Sequence, residues 1–228
     1  MTVKEQGDAG HGLDWRDGGI PVSRRFDDPY FSLDGGLDET AHVFHHGNDL
    51  AARLTEGFHI AETGFGTGLN LLATARLWQG LGRPGRIRFT SFEAFPLSPD
   101  EMARAHAAFP GLADLSAPLL AEWAAGARRF ILAGVDVEVI GGDARVTLPA
   151  WAGRADAWFL DGFSPAKNPE LWSPGLMADI ARHTAPGGTF ATYTAAGEVR
   201  RALAAAGFAV ERCPGFGRKR HMTKGYLR

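Results

Sequence analysis

An α/β fold with a mostly parallel sheet, covered by helices on both faces, is predicted from three observations. After Gly57 the chain repeats a strand, glycine turn, helix order; successive strands end on acidic residues; and no linker or internal repeat divides the sequence. Residues 1–19 are polar and glycine-rich and read as a loose N-terminal arm. Residues 20–56 mix aromatic and acidic side chains without a sustained period. They read as an accessory front segment, in which Asp38 caps a helix reaching Leu54 with Val43, Leu50 and Leu54 near one stripe.

The core, 57–228, opens with a strand over 58–62, followed by a helix over 67–79 with Leu69, Leu72 and Leu77 apolar. A strand over 87–93 precedes a helix over 98–108, where Ser98 is the cap, Pro99 the first helical residue and Glu101 the third. The segment 115–129 is helical but broken at Pro118, and 130–140 is a hairpin or a long bent strand turning near Ala133-Gly134. A buried strand over 157–160 ends at Asp161-Gly162. A helix over 175–185 is stopped by Pro186-Gly187-Gly188, and the chain returns as a strand over 189–194. Gly207 ends a last helix over 198–206. Strands over 208–212 and 222–227, joined by the basic loop 214–219, close a single domain spanning 20–228.

Composition excludes several classes of protein. With 45% hydrophobic and 22% charged residues the chain is ordinary for a packed domain, and one cysteine, Cys213, allows neither an internal disulfide nor a multi-cysteine metal site. The first eight residues lack the apolar core of a signal peptide. The longest stretch free of Asp, Glu, Lys and Arg, 183–197, contains Pro186 and three glycines and falls short of the about 18 residues that span a bilayer. A cytoplasmic protein without membrane contact is expected. His42, His45 and His46 are not spaced with a Glu or Cys to complete a recognised metal site, so no metal is expected.

Chemistry concentrates in Glu62-Thr63-Gly64-Phe65-Gly66-Thr67-Gly68-Leu69-Asn70, which follows a strand and opens a helix. Glycines there let a ligand approach the backbone, and free N–H groups at a helix start take an anionic group. The dinucleotide fingerprint G-x-G-x-x-G needs glycine at position 69, where Leu69 stands, so the spacing disfavours NAD or FAD. Glu93 ends the second strand roughly where an acid meets ribose hydroxyls, and Asp143 after the third is placed for an exocyclic adenine amine, with Ala144 leaving room for the ring. Together these strand ends outline a nucleoside pocket at the carboxyl edge of the sheet.

With the Pro186-Gly187-Gly188-Thr189 turn, these residues resemble class I S-adenosylmethionine-dependent methyltransferases. More narrowly, Phe26-Asp-Asp-Pro-Tyr-Phe-Ser32, Gly36-Leu-Asp-Glu39, Val43-Phe44, Gly47-Asn48, the loop 62–70 and Asp161-Gly-Phe-Ser-Pro-Ala-Lys-Asn-Pro169 are similar to the methyltransferase domain of the tRNA 5-methylaminomethyl-2-thiouridine biosynthesis enzymes. The similarity runs from about residue 14 onward. It implies a Rossmann-like, mostly parallel seven-stranded sheet with an antiparallel last strand, and S-adenosyl-L-methionine as cofactor. It also implies methylation of 5-aminomethyluridine, or its 2-thio form, at the tRNA wobble position. Two-domain members carry a flavin-dependent oxidoreductase that first removes a carboxymethyl group. Because this chain ends at Arg228, methylation alone is expected, with any preceding oxidation assigned to another protein or bypassed.

On this reading Glu62, Gly64, Phe65, Gly66, Gly68, Asn70, Glu93, Asp143, Ala144 and Asp161 surround the cofactor. Asp161 is the catalytic candidate: a carboxylate about 4 Å from a unit positive charge is worth about 4 kcal/mol at an effective dielectric near 20. If its pKa stays near about 4 it orients and stabilises charge rather than abstracting a proton. Phe163 either offers its face to a flipped-out base or packs in the core. Lys167 and Asn168 either touch phosphate and base edges or are solvated, and Tyr30 and Asn48 are placed at the pocket front by the resemblance alone. Residues 211–228 carry Arg212, Arg218, Lys219, Arg220, Lys224 and Arg228 against Glu211, a patch that grips tRNA or is an ordinary solvated surface. Two other readings stay open: methylation of another amine, such as a DNA base or small metabolite, and an adenosine-binding module without turnover.

Overall fold

The computed structural model describes residues 12–16, 19–32 and 35–228. At its centre is an eight-stranded sheet of β4 (His59–Glu62), β5 (Ile87–Glu93), β6 (Arg129–Leu132), β7 (Val135–Gly141), β8 (Ala155–Phe159), β9 (Thr184–Thr192), β10 (Phe208–Pro214) and β11 (His221–Leu227). The order is β10-β11-β9-β8-β4-β5-β7-β6. Strands β9, β8, β4, β5 and β7 are mutually parallel; β11 runs antiparallel between β9 and β10, and β6 antiparallel to β7. The eighth strand comes from 130–140, which is a hairpin: Ala133 and Gly134 both take positive φ, the two-residue turn that matches strand twist.

Strand alternation explains why both faces are dry. Ile60, Phe89, Ala157 and Phe159 face one cluster, with Leu71, Leu72, Met102, Leu119 and Trp123; Ala61, Phe92, Trp158 and Phe190 face the other, with Leu148, Leu176, Ile180 and Leu203. Each fully buried Leu, Ile or Phe contributes about 1.5–3 kcal/mol. The first face is covered by α1 (Gly36–Thr40), a π-helical stretch over Ala41–His46, α2 (Leu50–Arg53), α3 (Leu69–Leu81), α4 (Pro99–His106) and α5 (Ala113–Ala124). The second is covered by α6 (Ala144–Ala150), α7 (Pro174–Arg182) and α8 (Gly197–Ala205). The expected capping box of α4 is present, Ser98 and Glu101 each bonding the other's backbone.

Several expectations are corrected. The loose arm contains β1 (Leu13–Arg16), which pairs with β2 (Ile20–Ser23) and, through it, β3 (Asp28–Pro29) in a small front sheet; residues 1–11 and 17–18 lie outside the described residues. The helix expected over 38–54 is interrupted because Asp49 takes φ 52°, a left-handed backbone that ends one helical stretch before α2 starts. Pro118 does not break α5: Leu115, Leu119 and Trp123 bury one stripe around it and outweigh the missing N–H. Pro186-Gly187-Gly188 lies within β9, near a register shift against β8, rather than ending before it. Helix α6 was not expected, its seven residues being too short for a period to show.

Strand β4 is where the strand order reverses, β5 lying to one side and β8 to the other. Open α/β sheets bind ligands in the crevice at such a point, beyond the carboxyl ends of the strands.

Candidate active site

A cavity of about 860 Å³ opens at that point, of the size that holds a nucleoside-sized ligand. It is floored by the glycine loop. Gly66 (φ 52°) and Gly68 (φ 77°) adopt left-handed conformations, and a Cβ at Gly66 would stand 3.2 Å from Tyr30 Cδ1, so the loop folds this tightly only without side chains there. Gly68 is the N-cap of α3, aiming the helix start at the cavity.

Two acids, Asp161 and Glu93, line the floor, and a third, Glu62, which the sequence placed at the cofactor, lies behind it without lining the cavity. Glu62, at the end of β4, is fully buried; Oε2 accepts from Asn70 Nδ2 at 3.2 Å, while Oε1 has no hydrogen-bond partner. Burial, reinforced by Asp161, holds its carboxyl well above the usual carboxylate range. Asp161, just after β8, takes Asn70 Nδ2 on Oδ2 and the Gly162 N–H on Oδ1, both at 2.8 Å. Thr63 Oγ donates to its carbonyl at 2.7 Å and accepts from its N–H at 3.1 Å, fixing the backbone. Burial pushes the Asp161 carboxyl upward, against those two hydrogen bonds. Glu93, ending β5, accepts from Gly66 N at 2.8 Å and Phe95 N at 2.6 Å, tying the glycine loop to the next strand.

Asp143 and Ala144 line the cavity, but Asp143 is not a free acceptor: it caps α6 through Arg145 N, and the Arg145 guanidinium engages both its oxygens, holding the carboxyl below its usual range. Phe65 lines the floor, its ring stacked on Trp123 at 4.9 Å.

The far wall is aromatic. Phe163 stacks on Phe26 at 4.6 Å and meets the edge of Tyr30 at 5.1 Å, and its carbonyl accepts from Trp172 Nε1 at 2.8 Å. It is thus a wall residue with one face covered by Phe26. Lys167 does not point to open solvent; it pairs with Asp27 (3.1 Å) and Asp28 (3.5 Å), clamping the 161–169 loop to the front segment, and Asp28 also accepts from Ser164 N at 2.8 Å. Asn168 and Arg218 line the same cavity. Lys219 turns inward to Glu39 rather than extending the basic patch, and Lys224 stands 3.9 Å from Glu211. Asn48 is not at the pocket front: it is 1% exposed, donating to the Phe44 and Trp158 carbonyls and accepting from Thr189, and so joins the front segment to the sheet.

Sequence reasoning gave no role to Phe26, Glu39, Phe95, Tyr193 and Phe216, all of which line the cavity. Tyr193 directly follows β9, so the rule that found Glu62, Glu93 and Asp161 at strand ends extends to it. His45 is buried against Thr74, and among the described residues no group of three His, Cys, Asp or Glu side chains is placed to hold a metal ion. Among them, too, no helix is long and apolar enough to cross a membrane.

A sequence profile of an S-adenosyl-L-methionine-dependent methyltransferase family matches residues 110–228, more than half of the chain. This chain belongs to that family. The bifunctional protein MnmC of tRNA 5-methylaminomethyl-2-thiouridine biosynthesis from Pseudomonas paraeruginosa is 50% identical to this methyltransferase over 224 residues, covering 93% of this chain and 34% of that protein. Its Chromobacterium violaceum counterpart is 46% identical over 226 residues, covering 94% and 34%. The chain thus spans about a third of the length of the curated relatives it matches. The crystal structure of MNMC2 from Aquifex aeolicus superposes with a TM-score of 0.77 at 26% identity, over 98% of this chain and 72% of that one.

The cofactor of this methyltransferase, S-adenosyl-L-methionine, carries two positive centres and a ribose diol. The residues present suit it: the buried Asp161 carboxyl in the cavity lining favours a cationic ligand, and Glu93, also in the lining, stands at the strand end where a diol would lie.

Proposed function

We propose that this methyltransferase acts on the aminomethyl nitrogen of 5-aminomethyl-(2-thio)uridine at the tRNA wobble position, giving 5-methylaminomethyl-(2-thio)uridine. One observation carries the reading: a single cavity joins an acid-lined nucleoside floor to an aromatic wall of Phe26, Tyr30 and Phe163, with Asp161 between them. The 50% identity to an enzyme of that tRNA modification, over nearly the whole chain, supports the substrate.

Glu62, Gly64, Phe65, Gly66, Gly68, Asn70, Glu93, Asp143 and Ala144 would hold the cofactor, which when bound supplies an electrophilic methyl group on a positively charged sulfur. Asp161 then has two tasks. Its carboxylate draws the incoming amine into line and stabilises the positive charge that grows on nitrogen as the N–C bond forms, a differential effect of tens to hundreds of fold. Its raised pKa also makes it a better acceptor for the proton the amine must lose, at whichever lone pair of Oδ1 or Oδ2 Gly162 and Asn70 leave open. Phe163, Tyr30 and Phe26 supply the surface on which an unstacked base can rest, while Lys167 and Asn168 hold the loop that presents them.

The amine itself would be uncovered at another active site, because the glycine spacing here is not that of a dinucleotide or flavin pocket. We place the reaction in the cytoplasm, where tRNA is matured, and treat 20–228 as one working domain. The test is to incubate the protein with isotope-labelled S-adenosylmethionine and total tRNA from a strain lacking the gene, then analyse nucleosides by mass spectrometry. Label in 5-methylaminomethyluridine is expected. Label only in DNA or in a small amine would overturn the assignment.

A further inference from the structure

One cation in the cavity is unexplained by methyl transfer alone. Lys219, in the loop between β10 and β11, donates from Nζ to Glu39 Oε1 at 2.7 Å, and the same Nζ stands 4.1 Å from the Tyr193 ring centroid. The Glu39 side chain is 12% exposed and that of Lys219 42%, so the pair runs from a sheltered carboxylate toward the cavity opening. Tyr193 is itself held in place: its hydroxyl donates to Gly162 O at 2.8 Å and its ring meets Trp172 at 6.1 Å. Gly162 follows Asp161 directly, so this cluster adjoins the carboxylate to which the reacting nitrogen has been assigned.

A carboxylate and an aromatic face converging on one point select an alkylammonium, the first through a charge-assisted hydrogen bond and the second through its ring quadrupole. A lysine side chain is a primary alkylammonium on a flexible stem. The head group now occupying the site therefore has the chemistry of a protonated 5-aminomethyl substituent. We propose that Glu39 and the Tyr193 ring form the amine-recognition subsite, and that Lys219 is its displaceable internal occupant. The inference rests on the amine-acceptor reading above. An arriving substrate ammonium takes the place of Lys219 on Glu39, and Lys219 swings out toward the opening on its four-carbon stem. A base with a neutral 5-substituent cannot make this exchange, because evicting Lys219 would leave Glu39 buried and unpaired. Glu39 and Tyr193 thereby set specificity, and Lys219 guards the subsite against uridines without the amine.

The test needs no turnover. Protein saturated with S-adenosylhomocysteine is titrated calorimetrically with 5-aminomethyluridine and with 5-hydroxymethyluridine, as wild type, Glu39→Gln and Lys219→Met. Unchanged S-adenosylhomocysteine binding by both variants checks that they are folded. Lys219→Met is expected to bind the amino nucleoside about tenfold more tightly and Glu39→Gln about tenfold more weakly, with the hydroxymethyl nucleoside unaffected by either. Weaker binding of the amino nucleoside by Lys219→Met, or equal effects on both nucleosides, overturns the subsite; so does a fall in the salt dependence of tRNA binding by Lys219→Met, which would mark Lys219 as a phosphate contact. Amine discrimination without methylation of tRNA sinks only the tRNA reading, and methylation without discrimination sinks only the subsite.

Discussion

Asn70 and Asp161, on opposite sides of the strand-order reversal, meet through a 2.8 Å hydrogen bond from Nδ2 to Oδ2, and the same Nδ2 lies 3.2 Å from Glu62. One amide thus restrains two buried acids that would otherwise repel. Asn70→Ala should cost about 1–3 kcal/mol of stability by leaving both oxygens unpaired. Because the lost bond favours the ionised form of Asp161, its pKa should rise further and the acidic limb of the kcat/KM profile should move to higher pH. Urea melts and a pH–rate profile check the two effects separately.

Glu62 predicts a pH dependence of opposite sign to that of most carboxylates. Its folded pKa is raised, so above the unfolded value the native protein keeps a proton that the unfolded chain releases, and stability falls as pH rises toward the folded pKa. Glu62→Gln removes this slope and should gain stability relative to wild type as pH rises above about 4.5. Calorimetry should show the same variant binding S-adenosylmethionine about tenfold more weakly, since a nearby cation favours the ionised carboxylate, which Gln cannot supply. An unchanged affinity would remove Glu62 from the cofactor site.

Phe26→Ala should separate the two halves of the cavity. Phe26 stacks on Phe163 and lies 5.8 Å from Phe95, away from the glycine floor. Methyl transfer to tRNA should fall by about tenfold or more, from loss of a wall worth about 1–3 kcal/mol per stacked base, while cofactor affinity stays within twofold. Equal losses in both measurements would mean that Phe26 merely props the fold.

His45 sets a second pH dependence, away from the chemistry. Burial lowers its pKa to about 4, so between about 6.5 and 4 the unfolded chain binds a proton that the native one refuses, and stability falls as pH drops. The loss reaches up to about 3 kcal/mol. His45→Gln can keep a bond to Thr74 and does not titrate, so its destabilisation relative to wild type should shrink as melts are taken from pH 7 to pH 4.

The core was legible because its signals are local. Strand alternation, the Ser98 to Glu101 capping box and the glycine loop state their geometry within a few residues of sequence. Glu62, Glu93 and Asp161 were found by position at strand ends. Asp143 was found in the same way, yet no spacing rule foretold that Arg145, two residues on, would engage its carboxylate. The front segment was illegible for a different reason: its order comes from contacts distant in sequence, such as Arg53 donating to Thr189 Oγ and the Asp156 carbonyl, or Lys167 bridging to Asp27 and Asp28. The inward turn of Lys219 is of the same kind, since Glu39 lies far away in the chain.

The insertion of β11 between β9 and β10 leaves the Lys219 loop at the margin of the sheet. The β10–β11 hairpin is held in the sheet only through β11 on β9, and that loop is its turn, whereas β4 beneath the nucleoside floor is paired on both sides. Marginal elements open at lower free energy than central ones, so the rim beside Glu39 is the part expected to loosen before the floor in partial unfolding.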